Sequence, residues 1–163
     1  MGYEVIQSNK HKIEIQADKL EEIAAYCLEQ FSDVNCFVED AGIFVEGLNG
    51  FPGPYSAYVF RTLGNDGLLW LMKNKTSRRA RFVSIIAFRD AEEEKKLFFG
   101  ETIGVISTEE RGKGGFGFDP VSIPEGAIKM DAEMSPSEKD AVSHRGKATR
   151  ALGAYLNTRE IAL

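Results

Sequence analysis

The sequence is poor in the residues from which many functional sites are built. Its 163 residues include two cysteines, two histidines and one tryptophan. Cys27 and Cys36 do not have the spacing of a zinc site, and we interpret both as free thiols of a reducing compartment. No signal peptide is recognisable, and no apolar run is long enough to cross a bilayer. We therefore expect a cytoplasmic protein that has no membrane partner.

The sequence also has fewer positively than negatively charged residues. The chain carries 20 lysines and arginines against 25 aspartates and glutamates, so its formal net charge is −5. A nucleic-acid-binding domain normally presents a basic face. We expect no nucleic-acid partner, although the C-terminal third contains a local basic cluster. The length and a hydrophobic content of 43% suit a single domain over residues 1–163 with its own core.

The spacing of apolar residues predicts an α/β fold in which helices flank a mixed sheet. Asp18 is predicted to cap the first helix, with Glu21 completing a capping box, and Ser135 with Glu138 to do the same for a later helix. The predicted strands cover residues 3–7, 37–38, 43–46, 82–88, 97–107 and 121–124, of which the fourth and fifth form a hairpin. The predicted helices cover residues 18–31, 54–63, 66–72, 135–140 and 143–157.

Two adjacent carboxylates, Glu39 and Asp40, follow the apolar residues Phe37 and Val38. We place them where a buried strand ends, at the edge where α/β sheets bind ligands. Carboxylates in such a position must be solvated, paired or bound to a metal. Taken alone, these residues leave two interpretations open: an acidic turn at the strand end, or ligands for a hard cation such as Mg²⁺.

Two further stretches suggest a binding site. The glycines of GGFGFDP at 114–120 let the backbone approach a ligand closely, and Phe116 and Phe118 offer rings for stacking unless they belong to the core. The stretch SHRGK at 143–147 places His144 and Arg145 near a helix start, where backbone N–H groups favour anions. Lys139 lies one or two turns upstream. A polar loop at 9–14 is either a further site or simply solvated.

The chemistry that these residues can support is limited. The sequence contains no nucleophile or phosphate motif of the GxSxG, Walker A or HExxH type. Carboxylates, lysines, an arginine and aromatic rings remain. This set suits a Mg²⁺-bound phosphate substrate that carries a flat ring, which describes a nucleotide.

Four stretches, in this order, resemble the inosine triphosphate pyrophosphatase family, also called Ham1-like. They are VEDAGIFVEGLNGFPGPYSAY at 38–58, RRARF at 78–82, GKGGFGFDPVSIPEG at 112–126 and AEMSPSEKDAVSHRGKA at 132–148. The resemblance implies two lobes around a cleft and usually a homodimer. It also implies Mg²⁺-dependent hydrolysis of inosine, deoxyinosine and xanthosine triphosphates (ITP, dITP and XTP) to the monophosphate and pyrophosphate.

The resemblance also implies roles for single residues. Asp40 is expected to bind Mg²⁺ and activate water, and Glu14 to help hold the metal. Substrate-binding roles are implied for Ala41, Phe116, Gly117, Phe118, Asp119, Lys139, His144 and Arg145. Ala41 stands where the family has serine, and we expect the lost hydroxyl to alter affinity rather than abolish chemistry. Donors facing position 6 of the purine would satisfy a keto oxygen and oppose the amino group of adenine.

The N-terminal segment departs from the family, whose members begin with a strand and a phosphate loop of the form Thr-x-Asn-x-x-Lys. Aligning residues 3–22 with the family's second strand and the segment after it preserves the approximate spacing from Glu14 to Asp40. This register implies that the family's first strand, phosphate loop and following helix are absent. A rival register aligns residues 8–12 with the loop but leaves too few residues before Asp40, so we favour the first. We therefore expect an N-terminally short pyrophosphatase domain. The alternative is a nucleotide-binding relative whose catalysis is impaired because the loop is missing.

Overall fold

A computed structural model describes residues 3–160 of the chain. The five strands are β1 (Cys36–Val45), β2 (Pro52–Gly53), β3 (Arg79–Arg89), β4 (Lys95–Ile106) and β5 (Ser122–Pro124). The four helices are α1 (Leu20–Glu29), α2 (Ser56–Leu71), α3 (Pro136–Val142) and α4 (His144–Glu160). The predicted α/β fold is confirmed, and residues 1, 2 and 161–163 of the predicted domain lie outside the described residues. None of the described helices combines the length and apolar character needed to cross a membrane.

The strands form one sheet in the order β2-β1-β3-β4-β5. All of its pairings are antiparallel, so the mixture of strand directions expected from the sequence does not occur within residues 3–160. The predicted hairpin is the pair β3 and β4, in which Ile86 lies opposite Phe98. β3 is rich in β-branched and aromatic residues, which fit a buried pleated surface.

The two faces of the sheet are covered by different helices because successive side chains of a strand point to opposite faces. α1 packs on one face, where the buried residues are Leu20, Ala24, Leu28, Val83, Ile85 and Ala87. α4 packs on the other face, against Ile86 and Phe88 through Ala148 and Leu152. α2 covers the remainder of that second face, where Val59, Leu68 and Met72 contact Ile43, Val45 and Phe82.

The N-terminal part of the chain differs from the prediction. Residues 3–17 form neither a helix nor a strand, so the strand predicted at 3–7 is wrong. Strand-forming side chains do not make a strand unless a neighbouring strand pairs with their backbone, and none of the described pairings includes these residues. The first helix begins at Leu20 after Lys19 as N-cap, without a side-chain cap, so the predicted capping box of Asp18 and Glu21 is also wrong.

The prediction for the acidic residues Glu39 and Asp40 is also wrong. The two short strands predicted around Gly42 are one continuous strand, β1, and Glu39 and Asp40 lie in its middle rather than at its end. Gly42 does not turn the chain. A side chain there would place its Cβ 2.3 Å from the carbonyl oxygen of Gly53, so the glycine is required by the close approach of β2.

Two local predictions are confirmed. Gly64 interrupts α2 with a φ of 65°, so the segment consists of two short helices as its glycine suggested. Ser135 caps α3, its hydroxyl accepting the N–H of Glu138, while the Glu138 carboxylate accepts the N–H of Ser135 at 2.8 Å. The capping box works because it satisfies backbone donors that a helix start leaves without partners.

Candidate active site

A cavity of about 660 Å³ opens on the sheet face that carries α2 and α4. Its wall is formed by the middle of β1, the first turns of α2, the glycine-rich loop, and the region where α3 ends and α4 begins. The volume is that of a pocket for a small organic ligand. All eight substrate-binding residues implied by the sequence line it: Ala41, Phe116, Gly117, Phe118, Asp119, Lys139, His144 and Arg145.

The glycine-rich loop folds back on itself. Gly115 has a φ of +71° and Gly117 a φ of +61°, conformations that other residues rarely adopt. A Cβ on Gly115 would lie 2.0 Å from Oδ2 of Asp119, the oxygen that accepts the Phe116 N–H at 2.7 Å. The glycine is therefore needed so that the Asp119 carboxylate can close the loop.

The two phenylalanines of the loop have different positions. Phe118 is 7% exposed and packs edge-on against Phe60, their ring centroids 5.3 Å apart, so it belongs to the core as well as the cavity wall. Phe116 is 59% exposed. The Lys139 ammonium lies 4.5 Å and the Arg145 guanidinium 4.8 Å from the centroid of its ring. Phe116 is therefore the ring of this loop that is available for stacking.

The start of α4 brings cationic side chains to the cavity. His144 is half-buried, and this burial, together with the positive charges of Arg145, Lys139 and Lys147, lowers the pKa of its imidazole to about 3. His144 is consequently neutral at physiological pH. The guanidinium Nε of Arg145 donates to Oε1 of Glu39 at 2.9 Å, and the Ser84 hydroxyl donates to the same oxygen at 2.8 Å.

Asp40 lies on the opposite face of the sheet. It is opposite Ile85 in the pairing of β1 with β3, on the side covered by α1. Its Oδ1 accepts the N–H of Ala41 at 3.0 Å, whereas its Oδ2 is buried and has no hydrogen-bond partner in the part of the chain that the structure describes. Burial first, and the negative charge of Glu14 second, raise the pKa of Asp40 to about 6.

The residues around Asp40 suit a hard divalent cation. Glu14 lies close enough for its charge to act on Asp40 and pairs with the Lys12 ammonium at 2.9 Å. No group of three or more histidine, cysteine, aspartate or glutamate side chains placed to hold a metal occurs within residues 3–160. Mg²⁺ is usually held by one or two carboxylates together with waters and substrate phosphates. The unpartnered Oδ2 of Asp40, with Glu14 nearby, fits that pattern.

Comparison with known proteins identifies the chain's relatives. The family model for the Ham1 family matches residues 2–155. The chain belongs to the Ham1 family. This Ham1-family chain is 48% identical over 159 residues to the dITP/XTP pyrophosphatase of Thermococcus kodakarensis, which covers 96% of the chain and 85% of that protein. It is 46% identical over 158 residues to the dITP/XTP pyrophosphatase of Pyrococcus horikoshii, covering 95% and 84%.

Solved structures give the same result. The Staphylococcus aureus Ham1 protein superposes on this Ham1-family chain with a TM-score of 0.81 at 33% identity, covering 93% of this chain and 82% of that one. A HAM1 protein from Coxiella burnetii gives a TM-score of 0.78 at 26% identity, covering 91% and 81%. The resemblance read from the four sequence stretches is therefore confirmed.

Sequence reasoning did not find every residue that lines the cavity of this Ham1-family chain. It missed Ser56, Phe60, Arg61, Asp131 and Asp140, all of which contribute to the wall. Ser56 holds the wall together, since its hydroxyl accepts the N–H of Ile43 at 2.8 Å and donates to the carbonyl of Gly53 at 2.6 Å. Asp131 immediately precedes one of the family stretches, and a single aspartate in a turn carries no recognisable pattern of its own.

Proposed function

We propose that the protein hydrolyses ITP, dITP and XTP to the nucleoside monophosphate and pyrophosphate. Membership of the Ham1 family supports this proposal, as do relatives that are named dITP/XTP pyrophosphatases and are nearly half identical over almost the whole chain. The observation that carries it is the cavity itself, where an exposed ring, two cations and a neutral histidine meet in one wall.

The cavity is proposed to bind the purine. Phe116 offers a stacking surface, and stacking of a base on an aromatic ring contributes about 1–3 kcal/mol. The Arg145 guanidinium and the Lys139 ammonium can only donate hydrogen bonds, so they match the keto oxygen at position 6 of hypoxanthine and xanthine. The amino group of adenine would leave a donor unsatisfied, which costs about 1–3 kcal/mol per contact.

The hydrolytic step is assigned to the face that carries Asp40. Its Oδ2 has no hydrogen-bond partner among residues 3–160 and is the atom proposed to take a proton from the attacking water. Mg²⁺ held by Asp40 and Glu14 would supply charge neutralisation for the phosphate oxygens. Lys12 lies beside Glu14 and is a further positive group for the phosphates.

A substrate must therefore reach both faces of the sheet. Within the described residues, β2 pairs with β1 only at Ile43 and Phe44, so the stretch of β1 before them has no strand partner on that side. Ala41 and Gly42 line the cavity at this edge, next to Asp40. We propose that the triphosphate crosses the edge of β1 at Ala41 and Gly42, with the base on one side and the phosphates on the other.

The proposal is tested by measuring pyrophosphate release from ITP, dITP and XTP, with ATP and GTP alongside, in the presence and absence of Mg²⁺. We expect Mg²⁺-dependent release from the first three and much slower release from ATP. The exposed Asp66 of α2 lies outside the cavity wall, and its variant Asp66→Asn serves as a control that keeps full activity. Equal rates with ITP and ATP, or release of orthophosphate instead of pyrophosphate, would contradict the proposal.

Two other expectations from the family remain proposals. The protein is proposed to act as a homodimer in the cytoplasm. The free state of both cysteines is consistent with a reducing compartment. Sedimentation of the purified protein at several concentrations measures the oligomeric state, and a monomer at all of them would rule out the dimer.

A further inference from the structure

Asp131 is a buried carboxylate with no assigned role. It is the first residue of the 3₁₀ turn Asp131–Glu133, it lines the cavity, and only 9% of the residue is exposed. Among residues 3–160, no donor forms a hydrogen bond with its carboxyl oxygens. These oxygens are not fully buried, and within the described residues they are open to the cavity, where a ligand can donate to them. Because it faces the cavity, the missing donor is expected to come from a ligand.

The other carboxylate of this part of the wall is already engaged. Oδ2 of Asp119 accepts the Phe116 N–H and forms an ion pair with the Lys139 ammonium. Burial is the largest influence on Asp131 and raises the pKa of its carboxyl to about 6; the charge of Asp119 acts in the same direction and that of Lys139 opposes it. The remaining charged or titratable groups of the cavity wall are Arg61, Asp140, His144 and Arg145.

This arrangement has a definite hydrogen-bonding pattern. Lys139 and Arg145 can only donate, whereas an ionised Asp131 can only accept. A 6-oxopurine presents the complementary pattern along one edge, an acceptor at O6 beside a donor at N1–H. Adenine presents the reverse, a donor at its amino group beside an acceptor at N1. Two carboxylate oxygens facing the N1 lone pair of adenine would repel it.

Building on the function proposed above, we propose that the Asp131 carboxylate accepts the N1–H of a 6-oxopurine and so determines specificity against adenine. Protonation of Asp131 would convert the acceptor into a donor that adenine N1 can use. Selectivity for the 6-oxopurine is therefore expected to weaken in acid. Repulsion of adenine by Asp131 adds to the selection that Lys139 and Arg145 make at position 6.

The test is the ratio of kcat/KM for ITP to kcat/KM for ATP, measured at a pH well above and a pH well below about 6. Titration of Asp40 affects both substrates alike and cancels in this ratio. In the unchanged protein and in Asp66→Asn, the ratio should fall by ~10-fold in acid. In Asp131→Asn, whose amide can either donate or accept, it should be ~10-fold lower at neutral pH and independent of pH.

Binding without turnover separates this inference from the proposed function. Calorimetry with IMP and AMP in the absence of Mg²⁺ measures base preference even if no triphosphate is hydrolysed. Failure of the protein to hydrolyse ITP would overturn the proposed function, while a preference for IMP lost in Asp131→Asn would still support the role of Asp131. Asp131→Glu retains the acceptor and is expected to restore much of the preference, so it also controls for folding. An equal loss of IMP and AMP binding in Asp131→Asn, as expected for a contact with the sugar, would overturn the inference, as would an unchanged ratio.

Discussion

The two faces of β1 have opposite chemical characters although they are built from consecutive residues. On the cavity face, Glu39 is held by the Arg145 guanidinium and the Ser84 hydroxyl in a network of cations and aromatic rings. On the α1 face, Asp40 has Glu14 as a neighbouring charge, and one of its oxygens has no hydrogen-bond partner among the described residues. The Glu39 carboxylate is thus engaged in hydrogen bonds within the protein, whereas the Asp40 carboxylate has an oxygen that can still accept one. In the proposed function, alternation along a single strand separates recognition from chemistry by one residue.

The strongest test of this comparison is to neutralise each carboxylate in turn. Asp40→Asn should lower kcat at saturating Mg²⁺ by ~10²- to 10⁴-fold, because it removes the proposed proton acceptor and one proposed ligand of the metal. Glu39→Gln should mainly raise KM, because it frees Arg145 from its anchor. Steady-state kinetics with ITP distinguish the two effects. If both variants lost kcat to the same extent, the proposed division of labour between the two faces would be wrong.

The aromatic part of the cavity face is tested by Phe116→Ala. Loss of stacking worth about 1–3 kcal/mol should raise KM for ITP by ~5- to 150-fold and leave kcat nearly unchanged. Phe116→Tyr retains the ring and is the matched control, with kinetics close to those of the unchanged protein. A large loss of kcat in Phe116→Ala would show that the ring also positions the phosphates.

The half-buried histidine gives a prediction about stability. The pKa of His144 is about 3 in the folded protein and near 6.5 when unfolded. Only the unfolded chain takes up this proton as the pH falls from about 6.5 to about 3, so the free energy of unfolding should decrease across that range by ~2–4 kcal/mol. The raised pKa values of Asp40 and Asp131 act in the opposite direction.

Urea unfolding of the protein and of His144→Gln at a series of pH values isolates the histidine from these carboxylates. The variant should lose the acid-induced decrease that belongs to His144, whereas the contributions of Asp40 and Asp131 remain in both proteins. Parallel curves for the two proteins would show that His144 is not held neutral by its surroundings.

The smallest expected effect is at Ala41, which lies between the two faces at the edge of β1. Ala41→Ser introduces the hydroxyl that the family resemblance implies at this position and is expected to add one hydrogen bond of about 0.5–1.5 kcal/mol. We expect KM for ITP to fall by ~2- to 10-fold with kcat unchanged, measured by the same assay. A change in kcat alone would place this position with the chemistry rather than with binding.

The features that sequence predicted well are those determined locally. The capping box of Ser135, the break at Gly64 and the hairpin of β3 and β4 depend on neighbouring residues or on apolar patterns. The failures depend on distant contacts. The continuity of β1 through Gly42 requires the approach of Gly53, and residues 3–7 have a strand-like composition but no partner in the described sheet.

The candidate site shows the same difference between features determined locally and features that depend on distant contacts. Family motifs placed Phe116, Lys139 and Arg145 at one cavity because their order along the chain is distinctive. Sequence could not show that Asp40 lies on the opposite face, because the erroneous break at Gly42 removed the alternation that separates the faces. Nor could it find Asp131, whose burial and free oxygens exist only once the turn Asp131–Glu133 is packed against the loop.

Gly100 has a wider consequence. A Cβ at this position of β4 would lie 2.0 Å from the carbonyl oxygen of His144 and 2.5 Å from the amide nitrogen of Ala148, so the first turn of α4 rests directly on strand backbone. No side chain stands between them that could be enlarged or trimmed to move the helix. Any residue larger than glycine at position 100 would therefore displace the start of α4, which brings His144 and Arg145 to the cavity wall.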